Sequence, residues 1–206
     1  MEGVYFCYAH LNRIQYKFLM KSLYQFIVEP KNNRRYDNIK NIGGLDFITS
    51  TSEEDVSTSN RQATVIETPL NYCGPIEKGD TLLVHHNVFK FYNDMKGRRR
   101  SGKSFLKENI FFLDPDQFFA YKKNDEWHGY DKYCFVKSIP PTDSYIFKPF
   151  TKEPLMGEMV IVNDYLKSKG VKKGDTVCYK PLQEYEFRVD DEILYRMYDH
   201  SITLVV

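Results

Sequence analysis

Apolar and polar residues alternate in short runs along most of this chain, and Gly, Pro, Asn and Asp separate the runs. Val88-Phe-Lys-Phe-Tyr92 and Tyr185-Glu-Phe-Arg-Val-Asp190 are two examples. Alternation with a period of two predicts β-strands that are buried on one face. The 16 tyrosines and 15 phenylalanines agree with this prediction, because aromatic side chains favour strands. No long amphipathic helix is predicted between residues 20 and 206.

The second half of the chain repeats the order of signals found in the first half. Ile76-Glu-Lys-Gly-Asp-Thr-Leu-Leu-Val84 returns as Val171-Lys-Lys-Gly-Asp-Thr-Val-Cys-Tyr179, at an offset of 95 residues. The offset is larger earlier in the chain, at 109 between Tyr24 and Tyr133, and it is smaller later, at 83. An internal repeat with a falling offset predicts two related β units, of which the first carries two extra insertions.

The strands are short and closely spaced, which favours small β-barrels. The expected domains are an N-terminal extension at 1–19, a first barrel at 20–125 and a second barrel at 126–206. A natural start at Met20 is an alternative explanation of the extension.

The two insertions of the first unit have different compositions. Residues 31–60 are polar and rich in Ser, Thr and acidic side chains, apart from Leu45, Phe47 and Ile48. Such a segment buries too little apolar surface to fold alone, so it is predicted to be a mobile loop. The alternative is that these three apolar residues form a strand of the barrel. Residues 93–108 are predicted to be an inserted, solvated hairpin.

Charge, hydropathy and cysteine spacing exclude several classes of protein. The formal net charge of +1 argues against nucleic-acid binding through a global basic field. No run of about 18 apolar residues is present to span a membrane. The N-terminus has no signal-peptide pattern, so the cytoplasm is the expected compartment. Neither a disulfide framework nor a zinc site is expected from the spacing of the cysteines, which are Cys7, Cys73, Cys134 and Cys178.

One motif matches a nucleotide-binding pattern. Gly97-Arg-Arg-Arg-Ser-Gly-Lys-Ser104 satisfies G-x-x-x-x-G-K-[ST]. A P-loop follows an apolar strand and opens a helix, whereas Asn93-Asp-Met-Lys96 has turn chemistry. Only five residues separate Ser104 from Ile110, too few for a helix that recrosses the sheet. A hairpin tip is therefore the interpretation, and a P-loop-like nucleotide-binding enzyme is an alternative.

The histidines give no metal site. His85 and His86 are predicted to lie on one strand, so that their side chains face opposite sides and cannot share a metal. His128 and His200 have no nearby Cys or His. We expect no catalytic residue, no metal ligand and no cofactor.

The closing segments of the repeat resemble the co-chaperonin family, the GroES-type lids of chaperonin chambers. The resemblance rests on Val171–Tyr179, Glu184–Leu194 and Asp199–Val206, and it extends less closely over 22–121. The tandem arrangement is similar to the double co-chaperonin of chloroplasts. The resemblance implies an all-β fold of two tandem GroES-like barrels, with the mobile loop in the first.

Members of this family dock on the apical domain of the chaperonin through two glycines and a short apolar triplet in the mobile loop. The matching positions in this chain are Gly43, Gly44, Leu45, Phe47 and Ile48. Asp46 departs from the pattern, because a carboxylate replaces the central apolar side chain. Either Asp46 points away while Leu45 and Phe47 dock, or the contact shifts towards Phe47 and Ile48.

The resemblance also implies two further contact regions. The second copy lacks the two glycines and offers a possible second loop contact at Tyr145, Ile146 and Phe147. The final strand corresponds to the family's subunit interface, with candidate residues Ile202, Leu204 and Val206.

The function implied by the resemblance is non-enzymatic. The chain is expected to cap a chaperonin chamber and assist ATP-dependent folding. The implied partners are an ATP-bound 60-kDa-type chaperonin, an unfolded protein inside the chamber and other copies in a ring, with no nucleic acid or membrane. The richness in Tyr, Asn, Lys and Phe is compatible with an AT-rich genome such as a phage's, so a bacterium or a phage-infected cell is expected. A viral or structural β-barrel protein without chaperonin binding is another alternative.

Overall fold

The computed structural model describes residues 20–50, 58–140, 155–190 and 192–206, which form an all-β protein of several antiparallel sheets. The predicted all-β class is therefore confirmed. Within these ranges no sheet closes into a barrel, so the predicted barrels are not observed as closed structures. The same ranges contain no helix whose length and apolar character would suit a membrane span.

The chain divides into two compact units, and the division falls after Gln117. The strands of the first unit are β1 (Phe26–Pro30), β2 (Ile39–Ile42), β3 (Leu45–Ile48), β4 (Gln62–Glu67), β5 (Thr81–Val84), β6 (Phe91–Asn93), β7 (Arg99–Ser101), β8 (Phe105–Lys107) and β9 (Ile110–Leu113). Short 3₁₀ turns lie at Lys31–Asn33 and Pro115–Gln117.

The second unit begins at Phe118. Its elements are β10 (Phe118–Lys123), β11 (Glu126–Gly129), β12 (Tyr133–Ser138), β13 (Met156–Ile161), the helix α1 (Asp164–Ser168), β14 (Thr176–Tyr179), β15 (Tyr185–Val189), β16 (Glu192–Tyr198) and β17 (Ile202–Val205). A 3₁₀ turn at Asp199–Ser201 precedes β17.

The division lies eight residues before the expected boundary between 125 and 126, because the β10–β11 hairpin packs within the second unit. The backbone N–H of Gly129 donates to Val162 O at 3.2 Å, and that of Tyr130 donates to Phe119 O at 3.0 Å. The Phe119 ring also meets the Tyr133 ring edge-on, with 4.8 Å between the centroids. These contacts tie the hairpin to β12 and to the segment after β13.

Both units place their equivalent strands in the same order, as an internal repeat requires. The order is β8-β9-β1-β4-β5 in the first unit and β15-β16-β12-β13-β14 in the second, where β17 follows at the edge. A β-bulge interrupts β1 between Ile27 and Val28 and interrupts β12 between Phe135 and Val136. Matching the bulges gives an offset of 108 residues, one less than the offset inferred from Tyr24 and Tyr133.

The Gly-Asp turn, by which the repeat was recognised in the sequence, has the same hydrogen bonds in both copies. Gly79 and Gly174 have φ angles of 96° and 92°, in the left-handed region that glycine adopts without strain. Asp80 Oδ2 accepts from the N–H of Glu77 at 2.8 Å, and Asp175 Oδ2 accepts from the N–H of Lys172 at 2.7 Å. The carboxylate thus closes the turn that starts β5 and β14.

The core of each unit lies under these strands. In the first unit Phe89 and Phe111 are fully buried and meet edge-on, with 4.8 Å between the ring centroids. In the second unit one buried cluster joins the strands β12, β13, β14 and β16, and its members include Cys134, Val136, Met159, Val177 and Met197.

We expect Asp175→Ala to lower the free energy of unfolding by about 1 kcal/mol, because it leaves the Lys172 N–H without its carboxylate acceptor. Asp175→Asn keeps an acceptor oxygen and should lose less. Urea denaturation of the two variants measures the difference. Equal losses would contradict a hydrogen-bonding role for this side chain.

Candidate functional site

The candidate docking residues lie on a hairpin made of β2 and β3. Ile42 pairs with Leu45 and Ile39 pairs with Ile48, so only Gly43 and Gly44 connect the strands. Their φ angles are 63° and 85°, and two-residue hairpin turns with two positive φ angles favour glycine. The double glycine therefore forms the turn itself, and this local requirement explains why both residues are glycine.

This hairpin is a separate two-stranded sheet, and its large apolar side chains are exposed. Leu45, Phe47 and Ile48 are 49–66% exposed, and Ile42 is exposed to a similar extent. The three predicted residues therefore form a strand, but they do not face inward from a barrel wall. Exposed apolar side chains grouped on one small element mark a surface that other molecules can cover.

The two faces of β3 differ in chemistry. Side chains alternate along a strand, so Leu45 and Phe47 share one face while Asp46 and Ile48 share the other. Asp46 Oδ1 accepts a hydrogen bond from Asn41 Nδ2 at 2.8 Å, across the hairpin. The carboxylate is thus engaged on the face opposite Leu45 and Phe47. Asp46 thus points away from the face of Leu45 and Phe47, as the first alternative requires, while docking by these two residues stays a prediction.

Sequence reasoning missed Ile42 as a member of this apolar group. Directly paired residues in antiparallel strands have neighbouring side chains on the same face, so Ile42 extends the face of Leu45 and Phe47. The signal was present in the sequence, because a two-residue Gly-Gly turn pairs the residue before it with the residue after it.

The chain enters the hairpin through Arg35–Asp37 and returns at Thr58–Ser59, and we call these residues the root of the hairpin. Arg35 fixes the root to the rest of the first unit. Its guanidinium donates to Asn109 Oδ1 at 3.2 Å, to Ser101 Oγ at 3.1 Å and to the carbonyl of Glu108 at 3.0 Å. The same group lies 4.1 Å from the ring centroid of Phe91. A guanidinium with several acceptors and an aromatic face beneath it is held in one orientation.

Backbone hydrogen bonds join the incoming and the returning chain at the root. Tyr36 and Ser59 form an antiparallel bridge, and the N–H of Asp37 donates to Thr58 O at 2.7 Å. The Tyr36 hydroxyl accepts from the N–H of Phe91 at 2.9 Å. Tyr36 and Asp37 on one side and Thr58 and Ser59 on the other are therefore held together at one place of the first unit.

The segment Gly97–Ser104 belongs to a second hairpin, made of β6 and β7. Asp94 Oδ1 accepts from the N–H groups of Lys96 and Arg98, both at 2.9 Å, and closes its turn. The hydrogen bond from Arg98 is the main cause that lowers the pKa of Asp94. Strand β8 begins directly after Ser104. The segment therefore lacks the strand–loop–helix arrangement of a P-loop.

Of the two other predicted contact regions, the structure describes only the final strand. Tyr145, Ile146 and Phe147 lie outside the described residues. Ile202 is half-buried against the core of the second unit, whereas Leu204 and Val206 are exposed. Strand β17 is an edge strand, so one of its sides carries unpaired backbone groups.

The prediction that His85 and His86 lie on one strand with their side chains on opposite sides is wrong. Strand β5 ends at Val84, so the two histidines lie in the turn that follows it, and their ring centroids are 4.1 Å apart. Burial lowers the pKa of His86 to about 4, with smaller effects from His85, Arg61 and Lys90. In the part of the chain that the structure describes, no group of three His, Cys, Asp or Glu side chains is arranged to hold a metal.

The described cysteines are free thiols in different environments. Cys134 is buried, and this burial raises the pKa of its thiol to about 12. Cys73 is exposed and Cys178 is half-buried. Cys134 is therefore a core residue with almost no thiolate at neutral pH.

No protein-family model matches this chain, and no curated protein matches it. The features of this chain that bear on function are the exposed hairpin, the contacts that hold its root and the repeated strand order.

The shifted pKa of His86 predicts a pH dependence of stability. Its ordinary pKa is 6.5 and its folded value is about 4, so between these pH values the unfolded chain binds a proton that the folded chain rejects. Stability should therefore fall as the pH drops from 6.5 to 4. His86→Gln should flatten this part of the profile, as measured by urea midpoints at several pH values. An unchanged slope, or a His86 titration near 6.5 by NMR, would contradict the shift.

Proposed function

We propose that this chain is a co-chaperonin, which caps a chaperonin chamber and assists ATP-dependent protein folding. The observation that carries the proposal is the hairpin of β2 and β3, which exposes Leu45, Phe47 and Ile48 on a separate sheet. The chain is non-enzymatic in this proposal, and the chaperonin hydrolyses the ATP.

The hairpin has the features that reversible docking requires. Burying each exposed apolar side chain contributes about 1.5–3 kcal/mol. Ordering a flexible segment of about six residues costs about 1–2 kcal/mol per residue, and a hairpin that is already formed avoids much of this cost. The Gly43-Gly44 turn and the Asn41–Asp46 hydrogen bond supply this order locally.

A single small hairpin of this kind binds weakly, and a ring of copies raises the affinity. Once one hairpin has docked, the others meet their sites at high effective concentration. In the proposal the copies pair through the edge strand β17, where Leu204 and Val206 are exposed. The hairpins then bind together and are released together.

The repeated strand order and the paired Gly-Asp turns support the finer part of the proposal, namely two GroES-like units in tandem. The partners are an ATP-bound 60-kDa-type chaperonin and the unfolded protein enclosed by it. The proposed setting is the cytoplasm of a bacterium or of a phage-infected cell.

Phe47→Asp should weaken binding of the full chain to a purified bacterial 60-kDa chaperonin in the presence of ATP. Losing the burial of one Phe corresponds to about 10–100-fold per hairpin, and a ring multiplies the loss. Binding can be measured by sedimentation or by surface-immobilised chaperonin.

Leu182→Asp is the matched control, because Leu182 is 94% exposed in the second unit and lies outside the hairpin. This variant should bind like the wild type. If Phe47→Asp also binds like the wild type, the hairpin is not the docking element and the proposal fails.

A further inference from the structure

The basic hairpin of β6 and β7 is joined to the root of the apolar hairpin. On β6, Phe91 donates its N–H to the Tyr36 hydroxyl at 2.9 Å and lies 4.1 Å under the Arg35 guanidinium. On β7, Ser101 Oγ accepts from Arg35 Nη1 at 3.1 Å. Both strands of the basic hairpin thus contact Arg35, and β6 also contacts Tyr36; these two residues lie four and three positions before the apolar hairpin begins at Ile39.

This common root limits the distance between the two tips. Gly43 lies seven residues beyond Tyr36, and Lys96 lies five residues beyond Phe91. At about 3.3 Å per extended residue, the tips reach at most about 23 Å and about 17 Å from the root. The tips are therefore no further apart than about 40 Å plus the length of the Tyr36–Phe91 contact, a distance that one protein partner spans.

The second hairpin carries a concentrated positive charge. Its exposed basic residues are Lys96, Arg98, Arg99, Arg100 and Lys103. Asp94 is the one acidic residue between 91 and 105, so this stretch has a formal charge of +4. The whole chain has a formal charge of +1, so the remainder carries −3. The excess of positive charge is therefore concentrated in this stretch of the sequence.

We propose that the two hairpins form one bipartite docking surface, which fits a protein whose apolar groove is bordered by acidic side chains. The inference rests on the proposed function and adds an electrostatic contact to it. Charges beside an apolar contact mainly raise the association rate and select the partner. The basic residues thus steer the apolar hairpin towards its groove.

An acidic protein surface fits these observations better than a nucleic acid does. Outside residues 91–105 the formal charge sums to −3, so the chain as a whole has no excess of positive charge to attract a phosphate backbone. The neighbouring group of Ile42, Leu45 and Phe47 has no role in binding phosphates. In addition, the Phe91 ring is already covered by Arg35 at 4.1 Å and by Arg99 at 3.8 Å, so it is not available to stack on a base.

The double variant Lys96→Glu/Arg98→Glu tests the inference without removing the turn. Both side chains are exposed, and both residues serve the turn through backbone N–H groups that donate to Asp94. The matched control is Lys172→Glu/Lys173→Glu in the second unit, where the N–H of Lys172 likewise donates to Asp175. The two double variants change the formal charge equally.

The measurement is the Kd of the full chain for a purified bacterial 60-kDa chaperonin with ATP, at about 50 mM and about 300 mM salt. Lys96→Glu/Arg98→Glu should bind about tenfold more weakly than the wild type at low salt, with a smaller difference at high salt, because salt screens exposed charges. The control variant should stay within about twofold of the wild type.

The outcomes separate this inference from the proposed function. Binding of the basic-hairpin variant within about twofold of the wild type at low salt, while Phe47→Asp loses binding, overturns the bipartite surface and leaves the co-chaperonin proposal intact. Loss in both double variants also overturns it, because the effect is then one of overall charge. If the basic-hairpin variant loses affinity only for a 20-base-pair DNA duplex, the hairpin binds nucleic acid and the inference is wrong.

Discussion

The contacts of the Arg35 guanidinium determine where the two inserted hairpins of the first unit lie. It donates to Ser101, Glu108 and Asn109 and packs over Phe91, so one side chain joins four positions far away in sequence. Arg35 is half-buried, and such partners offset the water that its guanidinium has lost. Because these partners lie on β6, β7 and the β8–β9 turn, both insertions of the first unit leave from the same place. The two exposed hairpins are therefore neighbours although about fifty residues separate them.

The chemistry of the two hairpins explains why each can stay outside a core. The apolar hairpin is ordered by its Gly43-Gly44 turn and by the Asn41–Asp46 hydrogen bond, which do not require burial. The basic hairpin is ordered by Asp94, which accepts two backbone N–H groups. Local hydrogen bonds thus order both hairpins, and their large apolar and basic side chains stay exposed at the surface.

Much of the candidate site was predictable because its signals are local. Gly43 and Gly44 indicate a turn, and the apolar residues after them indicate a strand. Ile42 was missed because residues 31–60 were interpreted as a mobile loop, so the pairing of Ile42 with Leu45 that a two-residue Gly-Gly turn implies was not considered. The error at His85 and His86 has another cause, since the end of β5 at Val84 is set by its partner strand rather than by the local sequence.

The sequence by itself determined most of the strands, the Gly-Asp turns and the existence of two related units, because alternation, turn residues and repetition act over a few residues. The strand predicted at Val88–Tyr92 is an exception: Val88 and Phe89 are both buried in a bend, and the strand is Phe91–Asn93. Only the tertiary structure decided which residue of the first unit corresponds to which residue of the second. Phe26, Ile27 and Val28 are all buried, as are their counterparts in β12, so no apolar–polar alternation distinguishes an offset of 108 from one of 109. It also decided the division at Gln117 and the joining of the two hairpins, since both depend on contacts between residues that are far apart in the chain.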